Sequence, residues 1–486
     1  MPSEHKTALD EWTRRAENIE VRKNLQYFKQ SAGLKFDEKL IASLEKQALE
    51  HSKTFLKNFG REPRALFLAS VSSIGSAKTY WWQMAAHKAR ATKIVSKKFR
   101  LDGTPVNWGS WRQFTGKSDD SFARKELYDE FIKKSSVLTP IIRTRFETYA
   151  KVLAGYGIDP LSFYLELERI EYDKLVSFVD TLGNKLKAGF QEALRQYSDE
   201  ILGRQAEYYD DYYFFRSRVF RKYEKQFPTK AEPVAKIVQT MKAMGLDASK
   251  VKVDDADRKG KSASAFCFSI RVPSDVRVCY RKSNPLENFS GVFHEFGHGV
   301  HGVSIDPLAT FWDKYLVANG VAEIFSIFFE GLMHNRLYLK EELGLGEELV
   351  SDIISRFRFN ELYFVTFYSA NSTMKLRYWK EGLSMEEAND VYSDLTEKYM
   401  GLRFPGEYWQ LHHVMPEYFL YSPSYLIAAV RAFELERLLM SKFGERYWKE
   451  KGAGKYVHEL LRVGQAIDVS KFSTLDTRGY AEHLRG

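Results

Sequence analysis

The feature that most constrains this chain is a pair of histidines four residues apart, His294 and His298, within the segment VFHEFGHGVH. Residues at this spacing lie on one face of an α-helix, so two imidazoles can reach one metal ion. Glu295 lies beside them and can move a proton, as in the H-E-x-x-H arrangement of zinc sites. The apolar neighbours Val292 and Phe296 predict a helix that is packed into a core. For the motif taken alone, two histidines held by ordinary hydrogen bonds remain the alternative.

A metal site of this type needs a third protein ligand, and Glu323 is the candidate. It lies in a dense apolar run and shares one helical stripe with Ser326 and Glu330. That stripe could be the solvated face of an amphipathic helix. However, the apolar residues on either side leave only a narrow polar strip, and a buried carboxylate requires a partner such as a metal ion. We therefore predict a metal site formed by His294, His298 and Glu323.

The predicted secondary structure is mostly helical, with one small sheet. From about residue 7 to residue 223, apolar residues recur at intervals of three and four, which predicts helices almost throughout. Residues 251–264 are read as a polar turn region, whereas residues 265–270 and 276–280 predict a short strand pair directly before the H-E-x-x-H helix. An exposed edge of that pair could bind an extended peptide, and a purely structural hairpin is the alternative.

Composition excludes several classes of protein. The formal net charge of the 486 residues is +9, but basic residues are interleaved with acidic ones, which favours a mildly basic surface over a nucleic-acid-binding face. The two cysteines, Cys267 and Cys279, provide no disulfide framework and fit a reducing compartment. Neither a signal-peptide core nor a stretch apolar enough to span a membrane is evident. We expect a cytoplasmic protein with no nucleic-acid partner and no membrane partner.

The motif and its surroundings resemble a known family. The sequence HEFGH at residues 294–298, His301 three residues later, and Glu323 twenty-nine residues after the first motif histidine resemble the thimet oligopeptidase and oligoendopeptidase F family of zinc metallopeptidases. The resemblance implies one Zn²⁺ per chain, bound by the two motif histidines and Glu323, with Glu295 as the base. Residues 324–326 read Ile-Phe-Ser where the family more often has a small residue, proline and serine, which indicates a divergent, short member.

A second part of the resemblance lies far downstream, in residues 412–425. The family carries a histidine and tyrosines that donate hydrogen bonds to the tetrahedral intermediate, and here tyrosines follow His413 by five and twelve residues. By this resemblance His413, Tyr418 and Tyr425 are the corresponding catalytic residues, and Tyr421 is a further candidate. An aromatic-rich buried helix is the alternative, although two prolines in the segment argue against a continuous one.

The resemblance also implies a fold. It is mostly α, with two largely helical halves flanking a deep substrate channel and a small β-sheet next to the zinc helix. Residues 1–225 would form one wall of this channel. Residues 226–486 would form the catalytic region, with the sheet, the zinc-binding helices and the C-terminal helices. His301 and Glu330 are expected to orient the ligands or to anchor the helix.

The implied function is a zinc-dependent metalloendopeptidase that hydrolyses short unfolded oligopeptides, a late step in peptide catabolism. A zinc-activated water would attack the peptide carbonyl, with Glu295 as general base. One alternative is a metallocarboxypeptidase that trims free C-termini on a related helical scaffold, and another is a non-catalytic peptide-binding protein. A basic helical nucleic-acid binder lacks a recognisable module. The sequence leaves the cleavage-site preference and the oligomeric state open.

Overall fold

Helices form most of the computed structural model, which describes residues 3–225, 227, 232–282, 285–411 and 414–485. The mostly-α fold predicted from the sequence is thereby confirmed. The helices up to residue 221 are α1 (Ser3–Ser31), α2 (Glu38–Phe59), α3 (Arg64–Lys93), α4 (Trp111–Lys117), α5 (Ser121–Ser135), α6 (Thr139–Ala154), α7 (Pro160–Glu168), α8 (Tyr172–Leu202) and α9 (Val219–Arg221).

A second set of helices lies after residue 231. They are α10 (Pro233–Met244), α11 (Pro285–Ser304), α12 (Phe311–Tyr315), α13 (Asn319–Glu330), α14 (Arg336–Glu341), α15 (Glu347–Arg377), α16 (Met385–Met400), α17 (Tyr421–Phe443), α18 (Lys451–Leu461) and α19 (Thr477–Arg485). Two π-helical segments are Asp211–Arg218 and Tyr378–Gly382. Short 3₁₀ segments are Tyr208–Asp210, Lys222–Lys225, Gly331–His334, Gly406–Leu411, Pro416–Tyr418, Tyr447–Lys449, Gly464–Ala466 and Val469–Lys471. Across the described part of the chain, no helix combines the length and the apolar character that crossing a membrane requires.

Local sequence sets several of the helix ends. Helix α7 begins where the Asp159 side chain accepts hydrogen bonds from two backbone amides and Pro160 occupies the first turn. Helix α16 begins with a capping box, in which Ser384 and Glu387 each accept a hydrogen bond from the other's backbone amide. Helix α10 ends at Gly245, whose φ of +83° is readily available only to glycine.

Two small sheets accompany the helices. The first is an antiparallel hairpin of β1 (Val95–Leu101) and β2 (Thr104–Asn107). The second has three strands in the order β3–β5–β4, namely β3 (Lys252–Asp254), β4 (Phe266–Arg271) and β5 (Asp275–Cys279). Strand β4 is antiparallel to β5, whereas β3 is parallel to it. The predicted strand pair before the H-E-x-x-H helix therefore exists as β4 and β5.

The structure corrects the sequence analysis at two places. The β1–β2 hairpin interrupts the region predicted to be helical; its turn uses Asp102 and Gly103, both with positive φ, and its strands are short and rich in polar residues. The prediction of a polar turn for residues 251–264 is wrong at β3. That strand has only three residues, and its pairing with β5 comes from a contact that is distant in sequence.

Two compact units make up the chain. One contains Met1–Ala77, Phe227–Val350 and Ile427–Leu475, and the other contains Lys78–Gln226, Ser351–Leu426 and Asp476–Gly486. Each unit draws on early and late parts of the sequence. The boundary at residue 225 and the substrate channel stay predictions.

Helix α11, which carries the H-E-x-x-H motif, lies in the first unit and packs against α10, α13, α18, β4 and β5. Two of its glycines allow a close approach to the sheet and the segment before it. A Cβ atom at Gly299 would lie 3.0 Å from the Val251 side chain, and one at Gly302 would lie 2.8 Å from Ser269 Oγ. Larger residues would hold α11 away from these neighbours.

A third glycine allows α11 to pack tightly against α13. A Cβ atom at Gly297 would lie 2.4 Å from the Phe325 carbonyl oxygen and 2.5 Å from Ser326 Cα. Both of these atoms belong to the α13 backbone, which cannot rotate away as a side chain could. Gly297 therefore sets how closely α13 and its Glu323 approach the two motif histidines.

We predict that Gly297→Ala destabilises the first unit by about 1–3 kcal/mol, because the added methyl group forces α11 and α13 apart. The measurement is the unfolding midpoint in denaturant. Gly291→Ala is the matched control, since a Cβ atom there would meet only Ala265 Cβ at 3.8 Å, an ordinary contact. That control should be neutral or slightly stabilising. Equal midpoints for the two variants would contradict the assigned role of Gly297.

Candidate functional site

Three side chains converge between α11 and α13. Glu323 Oε2 lies 3.3 Å from His294 Nε2 and 3.4 Å from His298 Nε2. One ligand atom from each of the three residues lies within 4.8 Å of the others. Two imidazole nitrogens and one carboxylate oxygen are a donor set found in catalytic zinc sites. The structure thus brings together the three residues predicted to bind a metal ion, and their donor atoms suit one.

The polar strip of α13 explains how Glu323 can be buried. The residue is only 2% exposed. Ser326, one helical turn later, donates a hydrogen bond from its Oγ to Glu323 Oε2 at 2.7 Å. In the first turn of α13, the Gly320 carbonyl oxygen accepts a hydrogen bond from Arg431 at 2.9 Å. The carboxylate oxygen that faces the histidines is therefore held in a fixed position by its own helix.

A second carboxylate reaches the other side of one histidine. Glu330 Oε2 lies 2.9 Å from His294 Nδ1, and the other oxygen of Glu330 accepts a hydrogen bond from Ser290. A carboxylate on Nδ1 fixes the orientation of an imidazole and leaves Nε2 for the opposite side. Glu330 therefore contacts His294, and its role in orienting a metal ligand stays a prediction.

The electrostatics of the cluster favour a positive charge between its members. Burial acts to raise the pKa of Glu323, but His298 and His294 outweigh it and hold that pKa well below its usual range. Burial acts to lower the pKa of His294, but Glu323 and Glu330 outweigh it and hold that pKa well above its ordinary value. Two carboxylates around two imidazoles therefore attract a cation, whether a proton or a metal ion.

Glu295 lies next to this cluster without joining it. The residue is 9% exposed. Burial raises its pKa above the ordinary value, with His294 and His298 opposing the rise. On β4, which packs against α11, burial and the charge of Glu295 together raise the pKa of the Cys267 thiol. A carboxyl group with a raised pKa beside a cation site is suited to accept and return a proton.

His301 does not approach the converging donor atoms. Its ring packs against Phe325 with a centroid distance of 4.9 Å. Its Nε2 atom is buried and has no hydrogen-bond partner among the described residues. Burial lowers its pKa to about 3, helped by the charge of His298. His301 is therefore a neutral packing residue between α11 and α13, and a ligand-orienting role stays a prediction.

The predicted tyrosines lie in the second unit, at the start of α17 and just before it. Tyr418 is 47% exposed, and Tyr421 and Tyr425 are partly buried. The three rings form a row, with centroid distances of 6.1 Å and 4.7 Å between neighbours. Tyr425 also contacts Tyr368 at 5.2 Å. His413 lies outside the described residues, so its predicted role stays untested by the structure.

Buried polar contacts hold the segment that carries the tyrosine row. Arg145 Nη2 donates to both carboxylate oxygens of Glu417 at 3.1 Å. Ser424 Oγ donates to Glu168 at 2.7 Å. Lys375 Nζ donates to Ser422 Oγ at 3.1 Å. These contacts fix the backbone on both sides of Tyr418 and its neighbours within the second unit.

Several of these supporting residues were missed by the sequence analysis. Ser290 lies four residues before His294, on the same face of α11, and this spacing is a signal that could have identified it. Ser326 was placed on the polar strip of α13 but was given no role. Lys375 carries no motif, and only its burial shows that it matters.

Comparison with known proteins agrees with this geometry. Residues 247–472 match the profile of peptidase family M3. No curated protein sequence matches the chain. The fold resembles a crystal structure assigned as an oligoendopeptidase F from Bacillus anthracis strain Ames, with a TM-score of 0.62 and 13% identity, over 95% of this chain and 83% of that one.

Two further solved structures show a similar likeness. PZ peptidase A with a bound inhibitor has a TM-score of 0.61 and 14% identity, over 95% of this chain and 86% of the other. BsuCP has a TM-score of 0.60 and 14% identity, over 98% of each chain. At these identities the likeness concerns the fold alone.

The family resemblance drawn from the sequence is confirmed. Residues 247–472 resemble peptidase family M3, and the matched part spans the H-E-x-x-H helix, the helix with Glu323 and the tyrosine row. This match supports a hydrolase of the peptidase class.

The buried Lys375 gives a testable pH dependence. Burial lowers its pKa to about 7, whereas the unfolded chain binds that proton up to about pH 10. Between these values the unfolded state binds more protons, so this group makes the protein more stable as the pH rises. Below pH 7 the full cost of a buried charge remains.

We therefore predict that Lys375→Met stabilises the protein most near pH 6, and that this advantage shrinks towards pH 10 by up to about 1.4 kcal/mol per pH unit. Denaturant unfolding at several pH values measures it. The control is Lys151→Met, which removes an exposed lysine of the same unit and should show no such trend. A stability difference for Lys375→Met that is constant with pH would rule the prediction out.

Proposed function

We propose that this protein is a zinc-dependent endopeptidase that cleaves short, unfolded oligopeptides. The observation that carries the proposal is the convergence of His294, His298 and Glu323 on one point, with the buried carboxyl group of Glu295 beside it. The match of residues 247–472 to a peptidase family profile supports the reaction class. The name oligoendopeptidase F, given to a protein with a similar fold, supports the choice of oligopeptides as substrates.

His294 and His298 would bind zinc through Nε2, and Glu323 through Oε2, because these are the atoms that face one another. Zinc in such a site supplies Lewis acidity, which lowers the pKa of water and polarises a carbonyl group. Glu330 holds the His294 ring by its Nδ1 atom, which leaves Nε2 as the donor to the metal. Ser326 holds the carboxylate of Glu323 and keeps it from rotating away.

Glu295 is the proton carrier in this proposal. Its carboxylate takes a proton from the attacking water, and the resulting carboxylic acid gives that proton to the nitrogen of the leaving amine. The raised pKa of Glu295 suits both steps, because a carboxyl group with a pKa nearer neutrality binds and releases a proton more evenly.

Tyr418, Tyr425 and His413 would donate hydrogen bonds to the oxyanion of the tetrahedral intermediate. This assignment rests on the family resemblance. Each donor of this kind typically changes the rate by about 10²–10³. The buried contacts of Glu417, Ser422 and Ser424 support the assignment, since a hydrogen-bond donor must be held in place to stabilise a transition state.

An extended peptide has a suitable neighbour in strand β4. Among the described strands, β4 lies at one edge of the three-stranded sheet and packs against α11, the helix that carries Glu295. A substrate strand that paired with this edge would run past the base. A cytoplasmic location and a role in peptide catabolism are part of this proposal.

We predict that Glu295→Gln lowers kcat/KM on a quenched fluorescent peptide by at least about hundredfold, because the amide cannot accept the proton. Zinc content, measured on the same sample, should remain at one ion per chain. Glu287→Gln, which changes an exposed carboxylate of the same helix, is the control and should keep full activity. Full activity of a zinc-loaded Glu295→Gln variant would sink the proposed mechanism.

A further inference from the structure

A group of arginines in the second unit has no role in the proposed chemistry. We call Arg90, Arg112 and Arg145 the arginine cluster. They come from α3, α4 and α6, and all three belong to the same compact unit as the tyrosine row. Two of them contact the segment that carries the predicted catalytic residues, one at Leu411 and one at Glu417.

Arg145 is the buried member of the cluster. Its side chain is 4% exposed, and it pairs with Glu417, the residue directly before Tyr418. Its Nη2 atom also donates to Gln83 at 3.2 Å. This charge-assisted pair holds Arg145 beside the segment of the tyrosine row, since a buried guanidinium paired with a carboxylate has little freedom to move.

Arg90 is half-buried and lies on α3 two helical turns after Gln83, which accepts a hydrogen bond from Arg145. Its guanidinium lies 4.8 Å from the centre of the Trp108 ring. Burial lowers its pKa to about 10, and the charges of Arg145 and Arg112 add to this effect. The Nε atom of Arg90 is buried and has no hydrogen-bond partner among the described residues.

Arg112 is the exposed member of the cluster. Its Nη2 atom donates to the carbonyl oxygen of Leu411 at 3.3 Å, directly before His412 and His413 in the sequence. Its guanidinium lies 5.2 Å from the centre of the Tyr212 ring. The remaining donors of this planar group are available for a ligand from solvent.

The positive charge of the cluster exceeds the negative charge that the described residues supply. Of the ion pairs among those residues, only the pair of Arg145 with Glu417 involves a member of the cluster. The carboxylate neutralises one of three guanidinium charges, so two remain. Like charges held together at a partly buried position are unfavourable unless an anion joins them.

We propose that the arginine cluster binds a carboxylate of the peptide substrate, supplied by its C-terminus or by an acidic side chain. Guanidinium groups match the two oxygens of a carboxylate in geometry as well as in charge. Every unmodified peptide carries one carboxylate at its C-terminus, and the number of such carboxylates per residue is highest in short peptides. The inference rests on the proposed function, and it adds a contact that selects short peptides.

Binding to a Glu295→Gln protein tests the cluster without relying on cleavage. Two pairs of fluorescent peptides serve as probes. One pair differs only in a free or amidated C-terminus, and the other pair is amidated and differs only in Glu or Gln at one internal position. We expect the carboxylate member of at least one pair to bind about tenfold more tightly, equivalent to about 1.4 kcal/mol.

Arg112→Gln and Arg90→Gln should each bring that ratio towards one. Arg112→Lys should lower it only in part, because lysine keeps the charge but lacks the planar fork of donors. The control is Arg143→Gln, which removes an exposed arginine of α6 that pairs with Glu386, and it should leave the ratio unchanged.

The outcomes separate the two sources and the two proposals. If the arginine substitutions lower the affinity ratio of the first pair, the cluster binds the C-terminal carboxylate. If they lower the affinity ratio of the second pair, the cluster binds an acidic side chain. Ratios near one for both pairs, or ratios that neither substitution changes, overturn the anion site. If Glu295→Gln still cleaves the peptides, the proposed mechanism fails instead. The cluster is then tested by the ratio of kcat/KM between the two members of each peptide pair.

Discussion

The close crossing of α11 and α13 at Gly297 is the contact on which the rest of the site depends. At this point the backbone of α13 lies where a Cβ atom of any other residue would be. Because the helices meet here, Glu323 reaches His294 and His298 across the crossing. Two histidines on one helix supply only part of a metal site, and the third donor depends on how closely a second helix can approach. The glycine inside the motif is therefore as much a part of the site as the residues that carry its chemistry.

Burial gives this arrangement its chemical character. Glu323 is almost fully buried, so its charge requires the two imidazoles or a cation between them. Glu295 is buried beside the same charges but outside the converging set, and its pKa is raised instead of lowered. Two glutamates within one small volume are thereby separated into a carboxylate that holds a cation and a carboxyl group that can carry a proton. This difference in environment is what links the fold to the peptidase reaction that we propose.

The sequence predicted the parts of this account that follow from local spacing. The mostly-α fold, the β4–β5 pair and the family resemblance were predicted and are confirmed. The convergence of Glu323 with the two histidines could be proposed from its narrow polar strip and from the family resemblance. Strand β3, the β1–β2 hairpin and the roles of Ser290 and Lys375 could not be predicted, since they depend on contacts between distant parts of the chain. The arginine cluster likewise draws on three helices, and no spacing in the sequence brings them together.

The most direct test is an anomalous difference map, calculated from diffraction data collected just above and just below the zinc absorption edge. The account predicts one strong peak per chain, within bonding distance of His294 Nε2, His298 Nε2 and a carboxylate oxygen of Glu323. The peak should be lost in crystals of Glu323→Gln protein, since the amide is a much poorer zinc ligand than the carboxylate. A zinc-loaded crystal with no peak at these atoms, or with its peak at other residues, would contradict the central claim.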